Sequence, residues 1–342
     1  RYFRLTGVQS LIGVYGSCVE ENEAFLYMAE HFKKKNLPVP QVVCVSDDKS
    51  CYLQEDLGDT LLFHAIEKGR ITNSFSEEEK ELLRKTIRLL PSIQFAGADG
   101  FDFNRCYPQA EFNQRSILWD LNYFKYCFLK ATGLDFQEDK LEDDFMKMSD
   151  VLLRSSSATF MYRDFQSRNV MIKDGEPWFI DFQGGRRGPV YYDLASFLWQ
   201  AASKYPQALR ERLVDTYLTH AKPFIGEVDR AAFNKRLQLF VLFRLIQVLG
   251  AYGFRGYFER KAHFLTSIPP AIDSIQTLLE DENSVIKKFP YLQEIFSSLY
   301  KNPRFQSREK SEGLVVRVFS FSYKRGIPED LSGNGGGYVF DC

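Results

Sequence analysis

With 342 residues the chain is long enough to bury the cores of two lobes or domains, and a formal net charge of -1 leaves no basic footprint for nucleic acid. Cys18, Cys44, Cys51, Cys106, Cys127 and Cys342 are scattered without C-x-x-C spacing, which suits reduced thiols in the cytoplasm better than a disulfide framework. No basic, apolar leader opens the chain, and its most apolar stretch, Leu239 to Phe254, is interrupted by Arg244 and Gln247, which predicts a buried helix and no membrane span.

Residues 1–57 alternate strand-like segments with one helical stretch, Glu20 to Lys35. The strands are expected at Tyr2 to Leu5, Leu11 to Tyr15, Val42 to Val45 and Cys51 to Gln54, so this part reads as a small β lobe with one helix. The chain begins at Arg1, directly in a strand-like segment, and native residues are therefore expected upstream. The run Tyr52-Leu53-Gln54-Glu55-Asp56-Leu57-Gly58-Asp59 leaves an apolar strand and turns at Gly58, as a hinge between lobes would.

Residues 58–302 are dominated by helical periodicity and read as a large helical lobe. Ser76 with Glu79 makes a capping-box start, and Leu82, Leu83, Ile87 and Leu90 form an apolar face before Pro91. Further helices are expected around 113–130, 138–156, 190–202, 205–222, 230–253 and 268–282. Residues 303–342 are a linker and a remnant too short to be stable alone: a strand-like run from Leu314 to Phe321, the loop Gly333-Asn334-Gly335-Gly336-Gly337 and a short run at Tyr338 to Phe340.

Inside the helical lobe one segment breaks the pattern. Tyr162-Arg163-Asp164-Phe165-Gln166-Ser167-Arg168-Asn169 is followed by Asp181-Phe182-Gln183, with the apolar runs Val170 to Lys173 and Trp178 to Ile180 flanking the turn signal Asp174-Gly175-Glu176-Pro177. A hairpin there brings Asn169 and Asp181 close together. The spacing matches the catalytic loop and D-F-G segment of protein kinases, in which one carboxylate orients the accepting hydroxyl while an amide oxygen and a second carboxylate hold magnesium against phosphates. Asp164 is thus the candidate catalytic base, and Asn169 and Asp181 are the candidate metal ligands, for a reaction that uses ATP and Mg. Tyr162 stands where kinases carry His and is expected to pack, and Gln183 replaces the Gly of D-F-G, which points to a small-molecule kinase.

That reading assigns the remaining parts. The fold class is α+β: a bilobal protein-kinase-like fold with a small antiparallel β lobe and a large, mainly α lobe. Kinases pair a helical Glu with a strand Lys at the phosphates. Glu23 is the candidate Glu, the Lys is absent from Leu11-Ile12-Gly13-Val14-Tyr15, and Arg1 or Arg4 could supply the charge from the adjacent strand. The Glu55 carbonyl and Leu57 amide are expected to meet the adenine edge. Glu111, Asn113 and Asn122 are candidates for an acidic or hydroxyl-rich acceptor pocket.

The ordered set Arg1-Tyr2-Phe3-Arg4, L-Q-E-D-L-G-D, Y-R-D-F-Q-S-R-N, I-D-F-Q and Arg187-Gly188-Pro189 with Tyr192-Asp193-Leu194 resembles the aminoglycoside phosphotransferase/choline kinase superfamily. Within it the likeness is to the anomeric N-acetylmuramate/N-acetylglucosamine kinases of bacterial cell-wall recycling, over residues 1–285 or so. The resemblance implies a small-molecule partner, an amino sugar phosphorylated at its anomeric hydroxyl. It also implies that Asp193 supports the catalytic loop and that Arg187 touches substrate or phosphate. The end of the chain resembles the start of a RapZ-type RNase-adaptor domain. Two alternatives stay open: a kinase of an aminoglycoside, choline or another small alcohol, and a non-catalytic nucleotide-binding sensor coupled to the RapZ-like segment. Oligomeric state is not readable.

Overall fold

Short extended runs separated by turns build the first lobe of the computed structural model, which describes residues 1–155, 158–281 and 284–306. Strands β1 (Tyr2–Leu5), β2 (Leu11–Tyr15), β3 (Val42–Val45) and β4 (Cys51–Glu55) form one antiparallel sheet in the order β1-β2-β4-β3. Alternation along β4 turns Tyr52 and Gln54 inward. Helix α1 (Val19–Lys34) covers this sheet with a stripe of Phe25, Met28, Ala29 and Phe32, the spacing that brings successive turns to one face.

The chain leaves β4 and enters the larger lobe through Asp56 to Leu61. Helix α2 (Glu77–Pro91) starts at the expected capping box: Ser76 Oγ accepts from the Glu79 amide at 3.2 Å, and Glu79 Oε2 accepts from the Ser76 amide at 2.8 Å. Helices α3 (Gln114–Phe124) and α4 (Glu138–Leu153) follow, then β5 (Thr159–Met161), the hairpin β6 (Val170–Lys173) and β7 (Glu176–Phe179), and β8 (Arg186–Gly188), which pairs with β5. The hairpin turn is Asp174-Gly175, both at positive φ, the primed-turn geometry that suits right-twisted strands. Helices α5 (Val190–Leu198), α6 (Gln207–Ile225), α7 (Arg230–Gly253), α8 (Ile268–Glu280) and α9 (Pro290–Lys301) complete the lobe.

Helix α7 runs through the middle of this lobe with Phe240, Leu242, Phe243, Leu245, Ile246 and Leu249 buried. It packs tightly against α3 because position 250 is Gly: a Cβ there would lie 2.9 Å from the Phe124 nitrogen. The continuous helical stretch Arg230–Phe258 is long and apolar enough to cross a membrane, yet most of its apolar window is buried against its neighbours, as expected of a core helix. Past α9, Pro303–Phe305 makes one more turn and Phe305 packs on Phe128 at 5.9 Å, so residues 303–305 continue the lobe. Of residues 303–342, expected to be a linker and the start of a RapZ-like domain, those from 307 onward lie outside the described residues. Cys18, Cys44, Cys51, Cys106 and Cys127 are free thiols.

Candidate active site

Strand β5 delivers the chain into Tyr162-Arg163-Asp164, and one buried carboxylate fixes its path. Asp193 Oδ2 accepts from the Tyr162 amide and Oδ1 from the Arg163 amide, both at 2.9 Å, and Gln94 Nε2 adds a third bond at 3.1 Å. Gln94 is oriented in turn by the Tyr217 hydroxyl at 2.7 Å. These bonds hold Arg163 in the left-handed region at φ 74, a conformation that persists only when its surroundings impose it. Burial pushes the Asp193 carboxyl up to about 6, against the pull of the three hydrogen bonds. Tyr162 is fully buried, and its hydroxyl donates to the Ile180 carbonyl, one residue before Asp181, so it ties the loop to the second motif as well as packing.

The β6–β7 hairpin then brings the two motifs together. Asn169 Nδ2 donates to the Asp164 carbonyl at 2.8 Å and to Asp181 Oδ2 at 3.1 Å. Asp181, at φ 65, accepts from Gln183 Nε2 through its other oxygen at 3.0 Å. Neighbouring protein and the nearby Asp164 raise the Asp181 carboxyl, while the Gln183 and Asn169 bonds lower it. Asp164 Oδ2 lies 3.6 Å from where a Gly184 Cβ would be, so position 184 is open beside the carboxylate. Asp164, Asn169 and Asp181 therefore share one hydrogen-bonded cluster. Phe182 anchors it to the first lobe by stacking on Phe25 at 4.9 Å, which itself stacks on Tyr52 at 5.0 Å.

Two residues expected at the phosphates are engaged elsewhere. Glu23 pairs with Lys49 in the turn between β3 and β4. The α1 carboxylate that reaches the cluster is Glu21, whose Oε1 accepts from Gln183 Nε2 at 3.5 Å. The register could have been found, because Glu21, though exposed, lies one turn before Phe25 in line with the buried stripe, whereas Glu23 is rotated away from it. Arg4 bonds Asp56 and Asp59, each at 2.7 Å, and the Gly58 carbonyl at 3.2 Å, so its guanidinium clamps the hinge. Glu55 spends its side chain on Lys173 of β6 at 2.6 Å, and Leu57 is buried, while the Ile172 amide donates to Thr60 at 2.7 Å. The hinge is thus strapped to both lobes.

On the other side of Asp164 the sequence-based candidates are again displaced. Arg187 is exposed with its guanidinium 4.7 Å from the Phe103 ring centre, and its backbone bonds Ala110 and Phe112. Asn113 caps α3 by accepting from the Ser116 amide at 3.0 Å, and Asn122 donates to Leu118 of its own helix. Glu111 is bridged through its backbone to Arg187.

Their place is taken by a polar nest that sequence reasoning missed. Arg186, opposite in strand alternation to Arg187, is 3% exposed and donates to the Gly184 carbonyl at 3.2 Å. Asp120 of α3 accepts from Gln247 Nε2 at 2.7 Å, and Gln247 Oε1 accepts from the Tyr192 hydroxyl at 2.8 Å and from Arg244. Arg244 also donates to Ser196 at 3.0 Å. Burial pushes Asp120 up, opposed by Arg163, the Gln247 bond, Arg244 and Arg186. The available signal was the pair Arg244 and Gln247, three residues apart inside the apolar stretch Leu239 to Phe254.

Residues 14–232 match the family model described as the phosphotransferase enzyme family. The N-acetylmuramate/N-acetylglucosamine kinase of Neisseria meningitidis serogroup B is 26% identical over 280 residues, which cover 79% of this chain and 79% of that protein. Among solved structures, a choline kinase from Streptococcus pneumoniae superposes with a TM-score of 0.52 at 12% identity, covering 87% of this chain and 89% of that one. An aminoglycoside phosphotransferase bound to ADP does so with a TM-score of 0.51 at 15% identity, covering 90% and 94%. Both share the bilobal α+β fold, and at these identities they speak for the fold alone. The chain belongs to the phosphotransferase enzyme family and is an enzyme that transfers a phosphoryl group to the alcohol of a small molecule.

Proposed function

We propose that the enzyme is an ATP- and magnesium-dependent kinase of an N-acetylated amino sugar, acting in the cytoplasm on the anomeric hydroxyl. The observation that carries this is the single cluster of Asp164, Asn169 and Asp181. Asp164 orients the sugar hydroxyl and accepts its proton as the loose transition state collapses onto oxygen, so its main contribution is alignment. Asn169 and Asp181 suit magnesium. Both are hard oxygen donors, and Asn169 spends its amide hydrogens on Asp164 and Asp181, which leaves its oxygen for a cation. The ion would supply positive charge against phosphate oxygens. The Glu55 carbonyl and Leu57 amide are the hinge groups for the adenine edge, held in register by the Arg4 clamp.

The name of the Neisseria relative supports the sugar as acceptor. Choline and aminoglycosides are cationic and call for an acidic acceptor pocket, so a substrate panel separates them from neutral or anionic sugars. A coupled ADP-release screen across amino sugars, aminoglycosides and choline tests the proposal. Turnover with N-acetylated amino sugars, giving a product phosphorylated at the anomeric position by NMR, is expected. Turnover with choline or an aminoglycoside alone would replace it, and no sugar-dependent ATP consumption at all would favour the sensor.

A further inference from the structure

Strand β4 hands the chain to the hinge at Gln54, and the carboxamide there has nothing to bond. Gln54 is 8% exposed, its Oε1 is buried without a hydrogen-bond partner, and among the described residues no bond engages its Nε2. Buried amides are ordinarily satisfied at both ends, as Gln94 is by Val190, Asp193 and Tyr217. The polar neighbours of Gln54 are engaged too, Glu55 with Lys173 and Arg4 with Asp56 and Asp59. An orphaned amide costs stability, so its presence calls for a partner from outside the chain. Register and alternation fix the direction it faces. Gln54 lies opposite Ile12 of β2, which lies opposite Arg4 of β1. It shares the inward face of β4 with Tyr52, whose ring stacks on Phe25, and Phe25 stacks on Phe182 beside Asp181. The Glu55 carbonyl, the hinge group for the adenine edge, follows one residue later.

We infer that Gln54 reads the N6/N7 edge of adenine, Oε1 accepting from the 6-amino group and Nε2 donating to N7, and thereby makes the enzyme select adenine over guanine nucleotides. The inference rests on the ATP reading above and adds its base specificity. A hinge carbonyl and amide meet the N6/N1 edge and use one of the two amino hydrogens. The second hydrogen points to the N7 side and needs an acceptor. A glutamine carboxamide matches that donor and acceptor order bidentately, the pairing by which glutamine reads adenine in DNA. Guanine instead presents two acceptors, O6 and N7, on the same edge, so Oε1 would stay unpaired against it.

The test is calorimetric titration of the wild type, Gln54→Met and Gln54→Leu with the magnesium complexes of ADP, 7-deaza-ADP and GDP. In 7-deaza-ADP a carbon replaces N7 and the hinge edge is untouched, so this probe isolates the Gln54 contact. The wild type should bind 7-deaza-ADP about three- to tenfold more weakly than ADP, the worth of one hydrogen bond, and both variants should bind the two within about 1.5-fold of each other. The preference for ADP over GDP should fall by about fivefold to a hundredfold in the variants. Their melting temperatures without nucleotide should equal or exceed that of the wild type, since removing an orphaned amide strands no partner. A 7-deaza penalty of the same size in the wild type and in Gln54→Met, or none in a wild type that binds ADP, overturns the inference and leaves the ATP reading intact. Variants that melt lower with unchanged base selectivity would give the amide a role in the fold alone and overturn it as well. A wild type that binds no adenine nucleotide removes the ATP reading and this inference with it.

Discussion

The two sides of Asp164 are built by opposite strategies. On the side proposed to face the nucleotide, Asp181, Asn169, Gln183 and Glu21 form a chain of amides and carboxylates that mostly flanks one short hairpin and opens toward solvent. On the other side Asp120, Arg186, Arg244 and Gln247 come from one strand and two distant helices and are packed into the large lobe. The first arrangement suits chemistry shared by every substrate of the family, since its parts travel together in sequence. The second is assembled from segments that all lie outside the catalytic loop.

The contrast is sharpest in the first prediction. Asp164→Asn removes the group that the two sides share, so kcat should fall by about 10²- to 10⁴-fold while ADP affinity stays near wild type. Steady-state kinetics with calorimetry check this, and wild-type turnover in the variant would remove Asp164 from the mechanism. Asp181→Asn should act on one side only. It is expected to abolish the magnesium-dependent part of nucleotide binding, seen as equal calorimetric titrations with and without the ion, without altering selectivity among sugars.

The same division explains what could be read before the structure was seen. Asp164, Asn169 and Asp181 were legible because a loop and a hairpin impose their spacing locally. The small lobe, the Ser76 capping box and α7 were legible from periodicity. Neither spacing nor residue type distinguishes Glu23 from Glu21; only the stripe of Phe25, Met28 and Phe32 does. The clamp of Arg4 on Asp56 and Asp59 and the nest of Asp120, Arg186 and Arg244 depend on partners 50 or more residues apart, and no local pattern encodes such meetings.

Acid should separate the catalytic loop from the rest of the fold. Asp193 in the folded protein titrates at about 6, above its ordinary 3.8, so between these values the folded state holds more protons than the unfolded one. Its contribution to stability therefore rises as pH falls through that window and is unfavourable above it. Function goes the other way, because a proton on either oxygen faces an amide that needs an acceptor, Tyr162 on one and Arg163 on the other. We expect kcat to fall with a one-proton slope near pH 6 without a parallel drop in melting temperature from this group. Gln94→Met removes a bond that stabilises the carboxylate and should move that limb to higher pH, whereas an unmoved limb would assign it to another group, with Asp181 the first candidate.

The smallest effect concerns the two α1 carboxylates, and it tests the register of the whole nucleotide side. Gln183 Nε2 donates to Asp181 Oδ1 at 3.0 Å and reaches Glu21 at 3.5 Å, so Glu21 acts on Asp181 only through a long, partly solvated contact. Glu21→Gln should raise the nucleotide KM by about two- to fivefold, the scale of an exposed charged contact. Glu23→Gln removes the same charge from the same helix but loses only the Lys49 pair, far from the cluster in the β3–β4 turn. Its KM should stay within about twofold, since a surface pair of this kind contributes little and salt screens it. The difference between the two variants, measured at one ionic strength, isolates position from charge. If both shift KM alike, a general electrostatic field and not the Gln183 tether sets the affinity, and if Glu23 alone matters, α1 is rotated about its axis in the working enzyme.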